Sequence, residues 1–135
     1  MSSEYIRYKV NFPVTAEAVI KLFISAGLNR PVDQPTRIQR MLDNANLIVT
    51  AWDAEELVGI ARSISDFAFC TYLSDLAVKK EYQRQGIGRM LVDLTRKEMG
   101  EESMLLLLSV KQAMAYYPEI GFEPVTNAFV IPKKK

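Results

Sequence analysis

The sequence contains no histidine and a single cysteine, Cys70. The absence of histidine excludes a Ser-His-Asp triad, a Cys-His pair and a zinc site with a histidine ligand. A lone cysteine cannot form an internal disulfide, which favours a reducing compartment such as the cytoplasm. Acid–base chemistry near neutral pH must therefore use tyrosine, carboxylates, lysine, cysteine, water or the substrate itself.

Excess charge and long apolar runs are also missing. The 135 residues include 17 Lys or Arg and 16 Asp or Glu, for a formal net charge of +1. This balance gives no general attraction to nucleic acid or to an anionic membrane, and we expect neither as a partner. The longest apolar run, Met104–Leu108, is far too short to span a membrane. Residues 1–5 lack the basic and apolar regions of a signal peptide, which again favours the cytoplasm.

Length and hydrophobic periodicity predict one domain over residues 1–135 with a mixed α/β sheet. The order is three antiparallel strands followed by a strand–helix–strand crossover, which is not a doubly wound parallel sheet. Thr15 is the expected N-cap of the first helix and Gly27 its end. The uniformly apolar stretch 104–110 predicts a strand covered on both faces. The predicted strands are 5–10, 47–52, 57–64, 69–78, 104–110, 122–125 and 128–131, and the predicted helices are 16–26, 36–44, 86–99 and 111–117, the last ending at Pro118.

The strongest local signal is the turn Gln83-Arg84-Gln85-Gly86-Ile87-Gly88, which follows a strand and opens a helix. Glycine lets backbone N–H groups approach an anion closely, and a helix N-terminus adds free donors and partial positive charge. Arg84 and Arg89 can add charge-assisted bonds to phosphate oxygens. The alternative is a tight turn without a ligand. A dinucleotide fingerprint and a P-loop are both excluded by the residues that follow Gly88.

Two separated blocks of this sequence resemble the GNAT N-acetyltransferase superfamily. Leu73 through Leu91 is similar to the family's coenzyme A-binding core: a strand ending in an apolar-Ala-Val triplet, a loop, and (Gln/Arg)-x-x-Gly-x-(Gly/Ala) at a helix start. Ala113 through Phe122 is similar to the downstream pattern Ala-x-x-(Phe/Tyr)-Tyr-x-x-x-Gly-Phe. The resemblance covers residues 46–125 and is weak before them. The chain is identified as a small stand-alone bacterial-type member.

The resemblance implies a single-domain α+β fold with helices on both faces of a mixed, mostly antiparallel sheet of about six or seven strands. It also implies a bulge at the end of strand 69–78, which splays that strand from the next parallel one. Acetyl-CoA, the implied co-substrate, would lie in the resulting slot like a substitute strand. No metal is implied.

The family pattern also implies roles for individual residues. Tyr117 falls where the family often has a general acid that protonates the departing thiolate, and packing on the pantetheine or the core is its alternative role. Tyr116 is expected in the core. The family's asparagine before the second block is replaced by Val110, so its polar contact is expected to be absent or to come from Ser109 or Gln112. The implied coenzyme-binding residues are Leu76, Ala77 and Val78 for the pantetheine arm, with an N–H near Leu76 or Ala77 as oxyanion donor, and Gln83, Arg84, Gln85, Gly86, Ile87, Gly88 and Arg89 for the pyrophosphate.

Three polar residues near the end of strand 69–78 are candidates for a proton relay from the amine. Tyr72 and Ser74 share one face by alternation, while Asp75 faces the other unless the bulge re-aims it. The alternative for Asp75 is a hydrogen-bonding role at the strand end. Cys70 is expected to pack as a small hydrophobic residue.

We therefore predict an N-acetyltransferase in which acetyl-CoA and a primary amine bind together and the amine attacks the thioester directly. Two rivals are a non-catalytic acyl-CoA-binding sensor or regulatory module and an unrelated phosphate-binding α/β protein. The acceptor stays open among a small amine, an antibiotic, an amino acid and a protein N-terminus or lysine. Glu17, Asp33 and Asp43 can attract a cationic amine. Dimers are frequent in the family, which makes a homodimer the family-level expectation.

Overall fold

A computed structural model describes residues 5–135 of the chain. Residues 1–4, which entered the expectation about a signal peptide, lie outside the described residues. No helix within residues 5–135 is long and apolar enough to cross a membrane. The elements are β1 (Ile6–Val10), α1 (Ala16–Ala26), α2 (Pro35–Asp43), β2 (Leu47–Asp53), β3 (Glu56–Ser65), β4 (Cys70–Val78), α3 (Ile87–Met99), β5 (Met104–Leu106) and α4 (Tyr116–Glu119), with short 3₁₀ turns at Lys80–Tyr82 and Lys111–Ala113.

The strands form one sheet in the order β1-β2-β3-β4-β5. The first four strands pair antiparallel, and β4 and β5 pair parallel. A parallel pair requires a crossover, and α3 supplies it between β4 and β5. The predicted mixed sheet, mostly antiparallel with one strand–helix–strand crossover, is confirmed.

Helices cover both faces of the sheet, as predicted. On one face, α1 and α2 bury Phe23 and Ile38 against Ile60 of β3. On the other face, α3 buries Leu91 against Val58 and its neighbours. The packing of α3 is close because β3 carries Gly59 here: a Cβ at this residue would lie 3.1 Å from Cδ1 of Leu91.

The predicted bounds of the first helix are confirmed by its caps. The Ala18 N–H donates to Oγ1 of Thr15 over 3.1 Å, which satisfies one of the free donors of the first turn. Gly27 ends the helix with φ of 72°, a left-handed conformation that glycine adopts at little cost.

The C-terminal third departs from the prediction. Strand β5 covers only Met104–Leu106, and the predicted strands 122–125 and 128–131 do not form, so the described sheet has five strands. Both segments are short; the first contains Pro124 and the second is followed by Pro132, and proline lacks the N–H that a ladder needs. Phe129 is 98% exposed. Without an outer neighbour in the described residues, β5 is an edge strand, and its Met104 is 54% exposed rather than covered.

The predicted helix 111–117 is also wrong. A 3₁₀ turn at Lys111–Ala113 is followed by α4, which includes Pro118 instead of ending at it. Proline is tolerated there because the N–H groups of the first helical turn have no intrahelical partner.

Candidate functional site

The pairing of β4 with β5 covers only the first three residues of β4 and all three residues of β5. The pairs are Cys70 with Met104, Thr71 with Leu105 and Tyr72 with Leu106; β5 then ends, and β4 continues to Val78 paired with β3 only. Within residues 5–135, the edge of β4 that would face β5 therefore has no strand partner beyond Tyr72. The parallel pairing thus ends after three residues, in line with the predicted splayed pair, and this leaves a slot beside the second half of β4.

A chain of buried hydroxyl groups holds the closed end of this slot. Oγ of Ser65 and Oγ1 of Thr71 are 2.7 Å apart, and Oγ1 of Thr71 and Oγ of Ser103 are also 2.7 Å apart. The chain ties β3, β4 and the start of β5 together, which fixes where the two parallel strands begin to diverge. Our sequence interpretation missed these residues, although small polar residues inside apolar strands were visible.

The backbone of β4 presents polar groups to the open slot. The N–H of Lys79 donates to the carbonyl of Val58 on β3 over 2.8 Å. The backbone N–H and C=O groups of successive residues point to alternate edges of a strand. Since the N–H of Lys79 points to β3, the backbone groups of Val78 and Leu76 point to the other edge, which faces the slot. The side chain of Gln83 donates to the Val78 carbonyl over 2.9 Å, so the polar groups left toward the slot include the N–H donors of Leu76 and Val78, and that of Leu76 lies nearer the paired end of β4.

A β-bulge lies in β4, but at Ser74 rather than at residues 76–78. Arg62 is opposite Asp75 and Ser63 is opposite Leu73, so Ser74 is the extra residue. A bulge changes the alternation of side chains. As a result, Ser74 and Asp75 both reach the side chain of Arg62, whereas regular alternation would place them on opposite faces.

Two arginines hold this bulge. Asp75 is fully buried and accepts from Nε of Arg30 over 2.6 Å and from Nε of Arg62. The Ser74 carbonyl accepts from Nη2 of Arg30 over 2.6 Å, and Oγ of Ser74 accepts from Nη2 of Arg62 over 2.9 Å. Of the three relay candidates, Ser74 and Asp75 are thus brought together. Tyr72 is two residues away on β4 and is not part of this hydrogen-bonded cluster; no hydrogen bond of its hydroxyl occurs in the described part of the chain.

The turn before α3 has the backbone form of an anion site. Arg84 and Gly86 both have positive φ, 65° and 85°. The first N–H of α3 that bonds back is that of Met90, to the carbonyl of Gly86 over 3.0 Å. The N–H groups of Ile87, Gly88 and Arg89 precede it and are free to meet a ligand. Arg84 and Arg89 are exposed beside them.

Tyr116 lies over this turn instead of in the core. A Cβ built on Gly88 would be 2.6 Å from the Tyr116 hydroxyl, and the side chain is 37% exposed. The short helix α4 directs Tyr116 toward α3, while Tyr117 packs edge-on against Phe122 with 5.5 Å between ring centroids. Burial raises the pKa of the Tyr116 phenol, and the charge of Arg89 opposes that shift.

Tyr117 is half-buried and packs against the core below α3. Burial raises the pKa of its phenol, Tyr116 adds to the shift, and the positive charge of Arg30 acts against it. Tyr117 also lines a cavity of about 600 Å³ between β5 and the C-terminal segment, together with Leu107 and Phe122. None of the predicted pyrophosphate-binding residues lines that cavity, so the cavity is not the predicted coenzyme site.

Other predicted positions do not converge on a site. Cys70 is exposed rather than packed, because it follows a turn in which Asp66 accepts the N–H groups of residues 68–70. Desolvation and the Asp66 carboxylate raise the pKa of the Cys70 thiol, so the thiol is not activated. Ser109 donates to the carbonyl of Val110 over 2.7 Å. Glu17, Asp33 and Asp43 are exposed and dispersed; Glu17 pairs with Lys21, and Asp43 accepts from Gln39.

Comparison with known proteins identifies the family. The sequence model of the protein family described as the acetyltransferase (GNAT) domain matches residues 23–131. The chain belongs to the GNAT acetyltransferase family. This GNAT chain is 36% identical over 74 residues to the chloroplastic GCN5-related N-acetyltransferase 2 of Arabidopsis thaliana, which covers 51% of the chain and 28% of that protein. The match with this chain spans only 28–32% of the length of three curated relatives, the Arabidopsis protein among them.

Solved structures share the fold. SA2161 of meticillin-resistant Staphylococcus aureus superposes with a TM-score of 0.79 at 27% identity, covering 94% of this chain and 100% of that one. The aminoglycoside N-acetyltransferase AAC(6')-Iy, solved in complex with CoA, gives a TM-score of 0.71 at 11% identity, covering 96% and 95%. At that identity the second likeness shows the fold alone.

Proposed function

We propose that this GNAT protein transfers the acetyl group of acetyl-CoA to a primary amine within a ternary complex. The observation that carries the proposal is the open edge of β4 beyond Tyr72, where its pairing with β5 ends, in a chain whose β4 then leads toward free N–H donors at the start of α3. An extended thioester arm fits the slot, and a pyrophosphate fits the turn. The proposal includes a single acetyltransferase domain and a cytoplasmic location.

The coenzyme would be bound mainly by backbone groups. The N–H groups of Ile87, Gly88 and Arg89 would hold the pyrophosphate, with the exposed guanidinium of Arg84 beside them. The pantetheine arm would pair with the open edge of β4 at Leu76 and Val78, next to Ala77. The side chains of Gln83 and Gln85 shape the turn by donating to the carbonyls of Val78 and Glu81.

The chemistry assigns separate roles to the residues around the slot. The amine nitrogen attacks the thioester carbon, and the developing oxyanion accepts from the Leu76 N–H. When the C–S bond breaks, the thiolate takes the phenolic proton of Tyr117. Since a thiol has a pKa near 8.5 and burial raises the pKa of the Tyr117 phenol, this transfer is uphill and depends on Tyr117 lying at the sulfur; the phenolate then regains a proton from water. Ser74 and Tyr72 pass the amine proton to water, while Asp75, bound to two guanidinium groups, acts as a positioning residue.

Replacing Tyr117 tests the catalytic role. We expect Tyr117→Phe to lower kcat by roughly 100-fold or more, the usual contribution of a positioned acid. The Kd of acetyl-CoA, measured by calorimetry, should stay within about twofold, because the ring and its packing are retained. Tyr116→Phe is the matched control and should keep its kcat. A loss confined to acetyl-CoA binding would favour the non-catalytic sensor.

Thermal stability with different ligands distinguishes the acetyltransferase from the second rival, an unrelated phosphate-binding α/β protein. At about 100 times its Kd, a ligand specific for the folded state adds roughly 2.7 kcal/mol of stability. We expect acetyl-CoA and CoA to raise Tm by several degrees and ATP to have no effect. An equal shift with ATP would indicate a general phosphate-binding protein, and no shift with any of the three would refute the coenzyme site.

A further inference from the structure

The buried cluster at the bulge carries unbalanced charge. Arg30 and Arg62 share the single carboxylate of Asp75, and no other acidic residue among residues 5–135 forms an ion pair with either arginine. The side chain of Asp75 is 0% exposed and that of Arg62 is 7% exposed. One positive charge therefore remains at a largely desolvated place, where an uncompensated charge is costly.

Arg30 is the member of this cluster that a ligand can reach. Its side chain is 26% exposed. A guanidinium group has five N–H donors. Arg30 uses three of its nitrogens internally, toward Asp75, Ser74 and, over 2.7 Å, the carbonyl of Asn29. Two N–H donors of Arg30 therefore have no partner among the described residues, and the cluster keeps its excess positive charge. An anionic ligand would accept from these donors and neutralise that charge.

The position of Arg30 places this charge beside the reacting groups of the proposed reaction. Its guanidinium holds the Ser74 carbonyl, two residues before the Leu76 N–H that faces the slot. Its charge also reaches the phenol of Tyr117, whose pKa it shifts downward against the effect of burial. Arg30 comes from the loop between α1 and α2, so an acceptor that approaches from this loop would meet it beside the part of β4 where the thioester is proposed to lie.

We propose that the amine acceptor carries a carboxylate that pairs with Arg30. The proposal rests on the acetyltransferase function above and narrows its acceptor to amino-acid-like amines. Polycationic acceptors, such as those named for the aminoglycoside enzyme of the same fold, would meet repulsion at Arg30. Asp33, the one acidic residue of the loop, is exposed and supplies the natural control, because a cationic acceptor would depend on it instead.

Pairs of amines that differ only in the carboxylate provide the test. We would measure release of the CoA thiol at saturating acetyl-CoA with phenylalanine against phenethylamine, and with lysine against cadaverine. A charge-assisted, partly buried contact should favour the carboxylate member by about 10- to 100-fold in kcat/KM. Arg30→Gln should remove this preference mainly by raising KM for the amino acids. Arg30→Lys should restore part of it, and Asp33→Asn should leave it unchanged.

Binding of the reaction products keeps the test independent of turnover. With CoA present, N-acetylphenylalanine should stabilise the wild-type protein more than N-phenethylacetamide, and Arg30→Gln should abolish the difference. The carboxylate proposal would be overturned if the two products stabilised the protein equally. It would also be overturned if the enzyme preferred cadaverine to lysine and Asp33→Asn raised the KM for cadaverine. If acetyl-CoA itself does not bind, the proposed function is refuted. The stabilisation by the two products, measured in the absence of CoA, then still decides whether Arg30 binds a carboxylate.

Discussion

Gly88→Ala should change stability and coenzyme binding in opposite directions. Gly88 is the second residue of α3, and alanine is favoured over glycine inside a helix by about 0.8–1 kcal/mol. The new Cβ would lie 2.6 Å from the Tyr116 hydroxyl. That hydroxyl is the far end of a partly exposed side chain and can turn away at small cost. We therefore expect the free energy of unfolding in urea to stay constant or to rise by up to about 1 kcal/mol.

The same Cβ occupies the space in which a pyrophosphate would contact the N–H groups of α3. Losing one or two charge-assisted bonds, at about 1.5–3 kcal/mol each, predicts acetyl-CoA binding at least about 10-fold weaker by calorimetry. The displaced Tyr116 could cause the same loss, so the variant is compared with Gly88→Ala in a Tyr116→Phe background. There the nearest ring atom is 3.7 Å from the new Cβ, which is an ordinary contact.

Three outcomes distinguish the explanations for Gly88. Weak binding in both backgrounds places the pyrophosphate on Gly88. Restored binding in the Tyr116→Phe background would make Tyr116 the cause. Unchanged affinity in Gly88→Ala itself would refute the placement of the coenzyme at this turn, which would then serve only to connect β4 to α3.

Two further predictions concern buried polar contacts. Asp75→Asn leaves two guanidinium groups without their carboxylate and should lower the free energy of unfolding in urea by about 3–5 kcal/mol, whereas a loss below about 1 kcal/mol would contradict the role of this ion pair in holding the bulge. The hydrogen bond from Tyr82 to Asp53 Oδ2, 2.5 Å long, is the main cause that raises the pKa of Tyr82 to about 12. Because the folded pKa exceeds the ordinary value of 10.0, this bond stabilises the fold below pH 10 and is lost as pH approaches about 12. Tyr82→Phe should therefore be less stable than the wild type at about pH 8, and the difference should vanish toward pH 12; a constant difference would contradict the assignment.

The sequence was most informative where local chemistry and periodicity agreed. The bounds of α1, its Thr15 cap and the Gly27 stop were predicted residue by residue, because cap preferences and the apolar stripe point to the same ends. The crossover followed from element order, and the helices on both faces were implied by the family resemblance. The prediction of the C-terminal strands was wrong for two reasons. Segment 122–125 contains Pro124, which removes a ladder donor, and segment 128–131 has β-type composition but pairs with no strand among the described residues.

The candidate site was partly predictable for the same reason. The turn 83–88 could be recognised because positive φ and free N–H groups depend on local sequence. Arg30 and Arg62 could not, since their partner Asp75 is 45 and 13 residues away and the bulge at Ser74 brings them together. Tyr116 and Tyr117 are adjacent in sequence, and only the short helix α4 decides that Tyr117 enters the core and Tyr116 meets Gly88.

In the proposed reaction, the missing histidine and the buried Asp75 limit how an amine acceptor can lose its proton. The chain has no side chain with an ordinary pKa near 7, and Asp75, the acidic residue of β4, is bound to two guanidinium groups. An alkylammonium of pKa near 10 is almost entirely protonated at neutral pH. The proposed mechanism therefore depends on the small neutral fraction of the acceptor, or on hydroxyl groups and water that carry the proton away. A positive charge at Arg30 favours the neutral amine over the ammonium beside it, and an acceptor carboxylate offsets the repulsion that the ammonium form would feel on entry. The same arginine thus links acceptor selection to the protonation state in which the acceptor can react.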